Sequence, residues 1–334
     1  MNAKQLVASD AYDAYWRFAA ERQAVYYRRL AGTDEPWTSD PIIRSYRFTN
    51  AYRAADRVSQ YLIREVQYGC AHTSNEVDLF FRTVLFKLFN RIETWEAIEY
   101  ALGPITARTP LHKISNVLDS LMNRGSKIYS AAYIMPPPPY GKLRKHANHL
   151  AMLGRMLDDG LTTTLVRARS LQSVFETLMQ YPGLGQFLAF QLAIDLNYSD
   201  LLSFEETDFV VAGPGALDGI SKCFINTGSA TPSEIIYMMF ERQDTEFKRR
   251  GLEFRGLFGR RLQPVDCQNL FCEVSKYTRV SHPSIMGVSG RTRIKQLFKE
   301  NLQELSAPFF PPKWGLNINS SIAHKRFNQS SLPL

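Results

Sequence analysis

Cysteine is scarce. The 334 residues hold four (Cys70, Cys223, Cys267, Cys272), and no two of them form a CxxC pair. That excludes a disulfide framework and argues against a structural zinc or a dithiol redox centre. Cys267 and Cys272 stand five apart, poor spacing for a metal pair, so the expectation is reduced, half-buried thiols in an intracellular protein. Long apolar runs are missing too. Nothing approaches the ~18 residues a membrane span needs, and the opening MNAKQLVASDAYDAYW has no apolar core of a signal peptide. His146 and His149 lie three apart without a carboxylate motif, so no metal site is expected there. Internal repeats and long linkers are absent, and strand-like alternation is confined to 127–134 and 209–211.

What is present is helical. Hydrophobic residues make up 45% of the chain and charged residues 22%, enough apolar material for a buried core and too much for wholesale disorder. Forty Lys and Arg against 32 Asp and Glu leave a net charge of +8, the balance of a protein that meets an anionic partner over part of its surface. Apolar residues recur at three- and four-residue steps over 11–31, 56–68, 77–102, 109–123, 142–159 and 171–181, which predicts amphipathic helices. Residues 135–141, MPPPPYG, can only be a loop. Residues 1–306 read as one helical unit of two lobes, and the Pro- and Ser-rich stretch 307–334 as an extended or disordered tail.

The most specific motif is Tyr181-Pro182-Gly183-Leu184-Gly185-Gln186-Phe187-Leu188-Ala189, where a helix ends, a Pro-Gly-x-Gly turn reverses the chain and an apolar helix begins. Glycines suit a turn that needs positive φ and a close approach by a partner. The first N–H groups of the second helix can meet a phosphate, which makes Gly183, Gly185 and Gln186 candidate DNA contacts. Downstream come the acids Glu206, Asp208 and Asp218, the last beside Gly213-Pro214-Gly215, where Gly213 and Gly215 can present backbone N–H groups to an anion. Basic clusters at 248–250, 255, 260–261 and 291–295 are interleaved with Phe254, Phe258 and Phe298, as on surfaces that track a phosphate backbone.

This turn resembles the helix-hairpin-helix of DNA base-excision glycosylases, with Ala189 at the expected place in the second helix. Five further segments, 46–57, 86–95, 129–135, 209–220 and 265–273, fall in order with the hairpin over roughly residues 12–285. Together they are similar to the helical domain found with 5-hydroxymethyluracil DNA kinases and to the α-glutamyl/putrescinyl-thymine pyrophosphorylases, the amino-acid:DNA transferases of bacteriophages. The resemblance implies a mainly α, glycosylase-like helical fold. It also implies thymine hypermodification, in which an amino acid or polyamine displaces pyrophosphate from the 5-methylene carbon of pyrophosphorylated 5-hydroxymethyluracil in DNA. A separate kinase would supply the activated base, because no GxxxxGK[ST] loop occurs in this sequence.

On this reading Glu206, Asp208 or Asp218 is the catalytic acid or base. Arg47, Arg53, Arg57 and Lys87 are candidate phosphate ligands, and Gln268, Asn269 and Glu273 would read an extruded base or hold the amine donor. The partners expected are DNA with modified thymine, the amine co-substrate and a 5-hydroxymethyluracil DNA kinase, in a soluble protein of the host cytoplasm if the source is a phage. No cofactor is expected, and use of a divalent cation stays open. Two alternatives stand beside the transferase. One is a monofunctional glycosylase for a modified pyrimidine, since 186–196 lacks the lysine of the Schiff-base enzymes. The other is a non-catalytic DNA-binding module that partners a kinase.

Overall fold

A computed structural model describes residues 6–69, 75–299 and 306–318. The described chain is mainly α, with thirteen α-helices: α1 (Asp10–Leu30), α2 (Pro41–Ser45), α3 (Arg57–Tyr61), α4 (Glu76–Phe89), α5 (Ile92–Leu102), α6 (Leu111–Asn123), α7 (Lys145–Asp158), α8 (Leu161–Val166), α9 (Leu171–Leu178), α10 (Gln186–Tyr198), α11 (Pro214–Cys223), α12 (Pro232–Arg249) and α13 (Pro264–Ser281). Two short strands, β1 (Val7–Ala8) and β2 (Phe224–Asn226), pair antiparallel. The alternation at 127–134 and 209–211 forms no strand. The chain folds as two compact units, one made of residues up to 56, 210–308 and 314 onward, the other of 57–209 and 309–313.

In the first unit, α1 starts at a Ser9 cap, carries Asp10 and Asp13 in its first turn and Arg28 and Arg29 in its last, the charge order a helix dipole favours. Its buried aromatics interlock with α12 and α13: Trp16 meets Phe247 edge-on at 5.1 Å and Tyr15 meets Phe271 at 4.7 Å. α11 presses against α13 through two glycines. A Cβ on Gly215 would lie 2.9 Å from Cys272 Sγ, and one on Gly219 would collide with the Phe271 carbonyl. Close packing of α11 on α13 thus leaves no room for a side chain at Gly215 or Gly219.

In the second unit, α4 and α10 are buried almost all round, as helices at the centre of a bundle must be. The apolar stretch 77–102 is not one helix. Asn90 adopts a left-handed conformation (φ 49°), which Asn tolerates better than most residues, and divides it into α4 and α5. Residues 62–67 continue α3 as a wider π-helical turn. Of the expected tail, Phe310 is buried and Lys313 Nζ donates to the Ser199 carbonyl at 2.8 Å, so this part is packed. Residues 319–334 lie outside the described residues, as does Cys70.

Candidate active site

Two of the resembling segments, 46–57 and 265–273, meet in the first unit. On α13, Asp266, Asn269, Glu273 and Lys276 recur at three- and four-residue steps and form one polar stripe on a largely buried helix. The loop before α3 docks along it. Arg53 N–H donates to Asp266 Oδ1 (2.9 Å), Thr49 N–H to Glu273 Oε2 (3.0 Å), and Asn269 Nδ2 to Thr49 Oγ1 (3.1 Å). The loop closes on itself when Asn50 donates through its backbone N to Asp56 Oδ1 (2.7 Å) and through its amide to the Ala55 carbonyl (2.7 Å).

This docking holds several charges in a shielded space. Burial pushes the Asp56 carboxyl up to about 7. The Asn50 hydrogen bond and the charges of Arg22 and Arg53 pull it back, while Glu273 pushes it further. Part of the residue's surface meets solvent, but the carboxylate itself is enclosed. Burial also lowers Arg22 to about 10, against the pull of Asp56 and Glu273. Arg22 Nη1 is buried and has no hydrogen-bond partner among the described residues. Lys276 Nζ lies 2.7 Å from Glu273 Oε2. The result is a carboxylate that titrates near neutrality beside a guanidinium with an unused donor, an arrangement able to move a proton and hold an anion.

Asp56, Arg22 and Lys276 were not singled out by the motifs. Asp56 lies in the resembling segment 46–57, and the polar stripe on α13 was the available signal for its partners. Glu273 and Asn269 do reach this site. Gln268 is buried and its amide meets Cys272 Sγ at 3.2 Å.

The three expected catalytic acids are not brought together. Asp218 is almost wholly buried, and its oxygens accept from the Ser275 hydroxyl and from Ser289 N–H (2.7 Å). Burial raises its pKa, but these bonds and the charge of Lys222 outweigh that and hold it below the ordinary value. Gly287 packs so closely on the carboxylate that no side chain fits there. Asp218 therefore anchors the segment after α13. Glu206 is buried in the second unit, where it and Asp200 offset the burial that lowers Lys313 to about 8. Asp208 is exposed on a turn, its N–H donating to the Glu205 carbonyl.

The expected phosphate ligands divide. Arg47 is exposed, and Arg57 is exposed with Glu93 at 3.8 Å. Arg53 is buried to 2% exposure and Lys87 to 9%, so neither presents a surface cation. Gly183 has φ +97° and sits 3.1 Å (as Cβ) from Pro138, whereas Gly185 opens α10 with no side-chain cap and nothing near its Cα face. Gln186 is exposed in that first turn and Gly213 caps α11.

A second polar centre lies inside the second unit, where the resembling segments 86–95, 129–135 and the turn before α10 converge. Lys87 Nζ is 3.0 Å from Asp195 Oδ2, 2.8 Å from Asn90 Oδ1 and 4.9 Å from the Tyr133 ring centroid. Tyr133 has positive φ (53°) and stacks on Phe187 at 5.8 Å. The group borders a cavity of about 20 Å³, room for one water, with Met135, Leu184, Leu188 and Gln191. Beside it, His149 Nε2 meets the Pro136 carbonyl at 2.9 Å and so must be the donor, which leaves Nδ1 to accept from Tyr129. Among the described residues no group of three His, Cys, Asp or Glu is placed to hold a metal ion, and no helix is long and apolar enough to cross a membrane.

Comparison with known proteins matches residues 9–287 to the helical domain of 5-hmdU DNA kinase. The chain belongs to this helical-domain family. A relative described as a 5-hmdU DNA kinase, from Bacillus phage SP10, is 27% identical over 284 residues, which is 80% of this chain and 44% of the relative. The chain thus spans less than half the length of that member of the family. No solved structure matches. The family match runs across both units, so it takes in the Asp56–Glu273 site and the Lys87–Asp195 centre alike.

Proposed function

We propose that this helical-domain protein is a transferase that acts on DNA and installs an amine at the 5-methylene carbon of pyrophosphorylated 5-hydroxymethyluracil. The observation that carries the reading is the Asp56 carboxylate, poised near pH 7 beside Arg22 and Glu273, where two of the segments that resemble thymine-hypermodifying transferases meet. The amine nitrogen attacks the methylene carbon. The carbon–oxygen bond to pyrophosphate breaks, its electron pair leaves with that group, and the surplus proton of the new ammonium passes to Asp56. Arg22, with its unused Nη1, meets negative charge on the departing pyrophosphate. Asn269 and Glu273 orient the base or the amine.

The relative's name supports modified DNA as the substrate class. In this reading a 5-hydroxymethyluracil DNA kinase activity delivers the activated base. The turn before α10 serves as a helix-hairpin-helix DNA contact through the N–H groups after Gly185. A phage protein of this kind would work in solution in the host cytoplasm. The test is mass spectrometry of nucleosides from DNA carrying the pyrophosphorylated base, after incubation with the protein and a mixture of amino acids and polyamines. A new nucleoside equal in mass to the methylene base plus one amine is expected. Unchanged nucleosides, or loss of the base, would overturn the reading.

A further inference from the structure

The two basic clusters of the first unit differ in what their charges do. In the cluster at 248–261 the five arginines are engaged within the fold. Arg249 pairs with Glu246 at 3.0 Å, Arg250 with Asp13 at 2.6 Å, and Arg261 with Asp244 at 2.9 Å. Arg255 lies 3.9 Å above the Tyr27 ring and Arg260 4.1 Å above Trp314. Residues 282–299 contain no acid at all, and Arg291, Arg293, Lys295 and Lys299 are exposed. None of these four forms an ion pair among the described residues.

The segment that bears them is held at both ends. At one end Ser289 N–H donates to Asp218 Oδ1 (2.7 Å) and Val288 N–H to Ser221 Oγ (3.1 Å). Midway, Arg279 Nη1 donates to the Arg293 carbonyl (3.1 Å). At the other end Arg47 N–H donates to the Gln296 carbonyl (3.0 Å) and Phe298 N–H to the Ser45 carbonyl (2.9 Å). Arg291, Arg293 and Lys295 stand two apart, so an extended chain carries them on one side, and Ile294 is the one residue of 291–299 that is not exposed. Exposed Arg44 and Arg47 continue the positive surface, and Thr49, whose N–H is held by Glu273, is two residues beyond Arg47.

We infer that residues 289–299, with Arg44 and Arg47, form a fixed rail for the phosphodiester backbone of DNA, clasped by Asp218 and leading to the Asp56–Glu273 site. The inference rests on the reading of the protein as one that acts on DNA. A buried carboxylate that accepts two hydrogen bonds holds the rail in register without spending any of its cations, and neutralised phosphates would release counterions in proportion to the contacts made.

The test measures binding of a fluorescein-labelled duplex, and of one of its single strands, as a function of salt. The full chain is compared with a rail variant (Arg291→Gln, Arg293→Gln, Lys295→Gln) and a variant of equal charge change in the engaged cluster (Arg249→Gln, Arg255→Gln, Arg261→Gln), all checked for unchanged melting. The rail variant should flatten the log–log salt slope by about 2.7 on duplex, or by about 2 if single strands are the ligand. The engaged-cluster variant should keep the original slope. Equal flattening by both variants, or an unchanged slope in the rail variant, overturns the rail while the DNA reading stands. Salt-independent or absent binding by the unaltered protein overturns that reading and the rail with it.

Discussion

Asp56 shows how a single carboxyl can be useful because it is badly solvated. Its pKa is raised from 3.8 to about 7, first by burial and then by Glu273, against the Asn50 hydrogen bond and two arginines. Two consequences have opposite signs. A base must be ionised to accept a proton, so kcat/KM should climb with pH through about 7. The folded state holds that proton more tightly than the unfolded chain, so stability falls as pH rises from about 4 to about 7. Asp56→Asn keeps an acceptor for Asn50 and removes both effects. Transfer should drop by about 10²- to 10⁴-fold with loss of the acidic limb, while the variant melts no lower than the parent at pH 8. A pH–rate profile with paired melting curves checks this, and a limb unchanged in the variant would assign the base elsewhere. The motifs did not reveal Asp56 because the spacing from the turn points downstream, to Glu206, Asp208 and Asp218. The acid that the fold buries beside α13 lies over a hundred residues before that turn in sequence.

Between elements, the informative interaction is the one joining α4 to α10. Lys87 and Asp195 are 9% and 0% exposed and 3.0 Å apart, in a bundle interior where an isolated charge is expensive. Removing one partner, as in Lys87→Met or Asp195→Leu, should cost about 3–5 kcal/mol, whereas the double replacement should recover most of that loss, because an apolar pair of similar volume fills the same space. Denaturant unfolding of the three variants measures the coupling, and additive losses would show that the pair does not act as a unit. Helix periodicity made most of the elements legible, among them α1, α6, α7 and α9, whose boundaries fall within a few residues of the expected ones. It could not locate the break at Asn90, since a left-handed residue between two apolar helices leaves the pattern nearly continuous. Nor could it show that Lys87 turns inward, because a lysine in an amphipathic repeat reads as a solvated face until its buried partner on another helix is known.

Across the whole molecule, the distribution of tyrosines sets a limit on alkaline stability that no single site determines. Eleven of the 16 tyrosines have pKa values raised above 10, each chiefly by burial. Tyr12, Tyr15, Tyr26, Tyr27, Tyr52 and Tyr277 are in the first unit, and Tyr61, Tyr68, Tyr129, Tyr140 and Tyr181 in the second. For an acid whose folded pKa is the higher, the folded state keeps its proton longer, so stability is intact below about 10 and is lost as pH rises above it. Both units carry such groups, so neither should outlast the other by much. Absorbance at 295 nm should show a few phenols ionising near pH 10 and the rest ionising together at higher pH, at the same midpoint as loss of the helical circular dichroism signal. The thiols of buried Cys223 and Cys267, also raised by burial, should resist alkylation until that same transition. Independent, gradual ionisation of all tyrosines with the helices intact would mean that the aromatic cores of both units admit water. The packing of Trp16, Tyr15 and Phe271 against one another could then not be the main source of stability in the first unit.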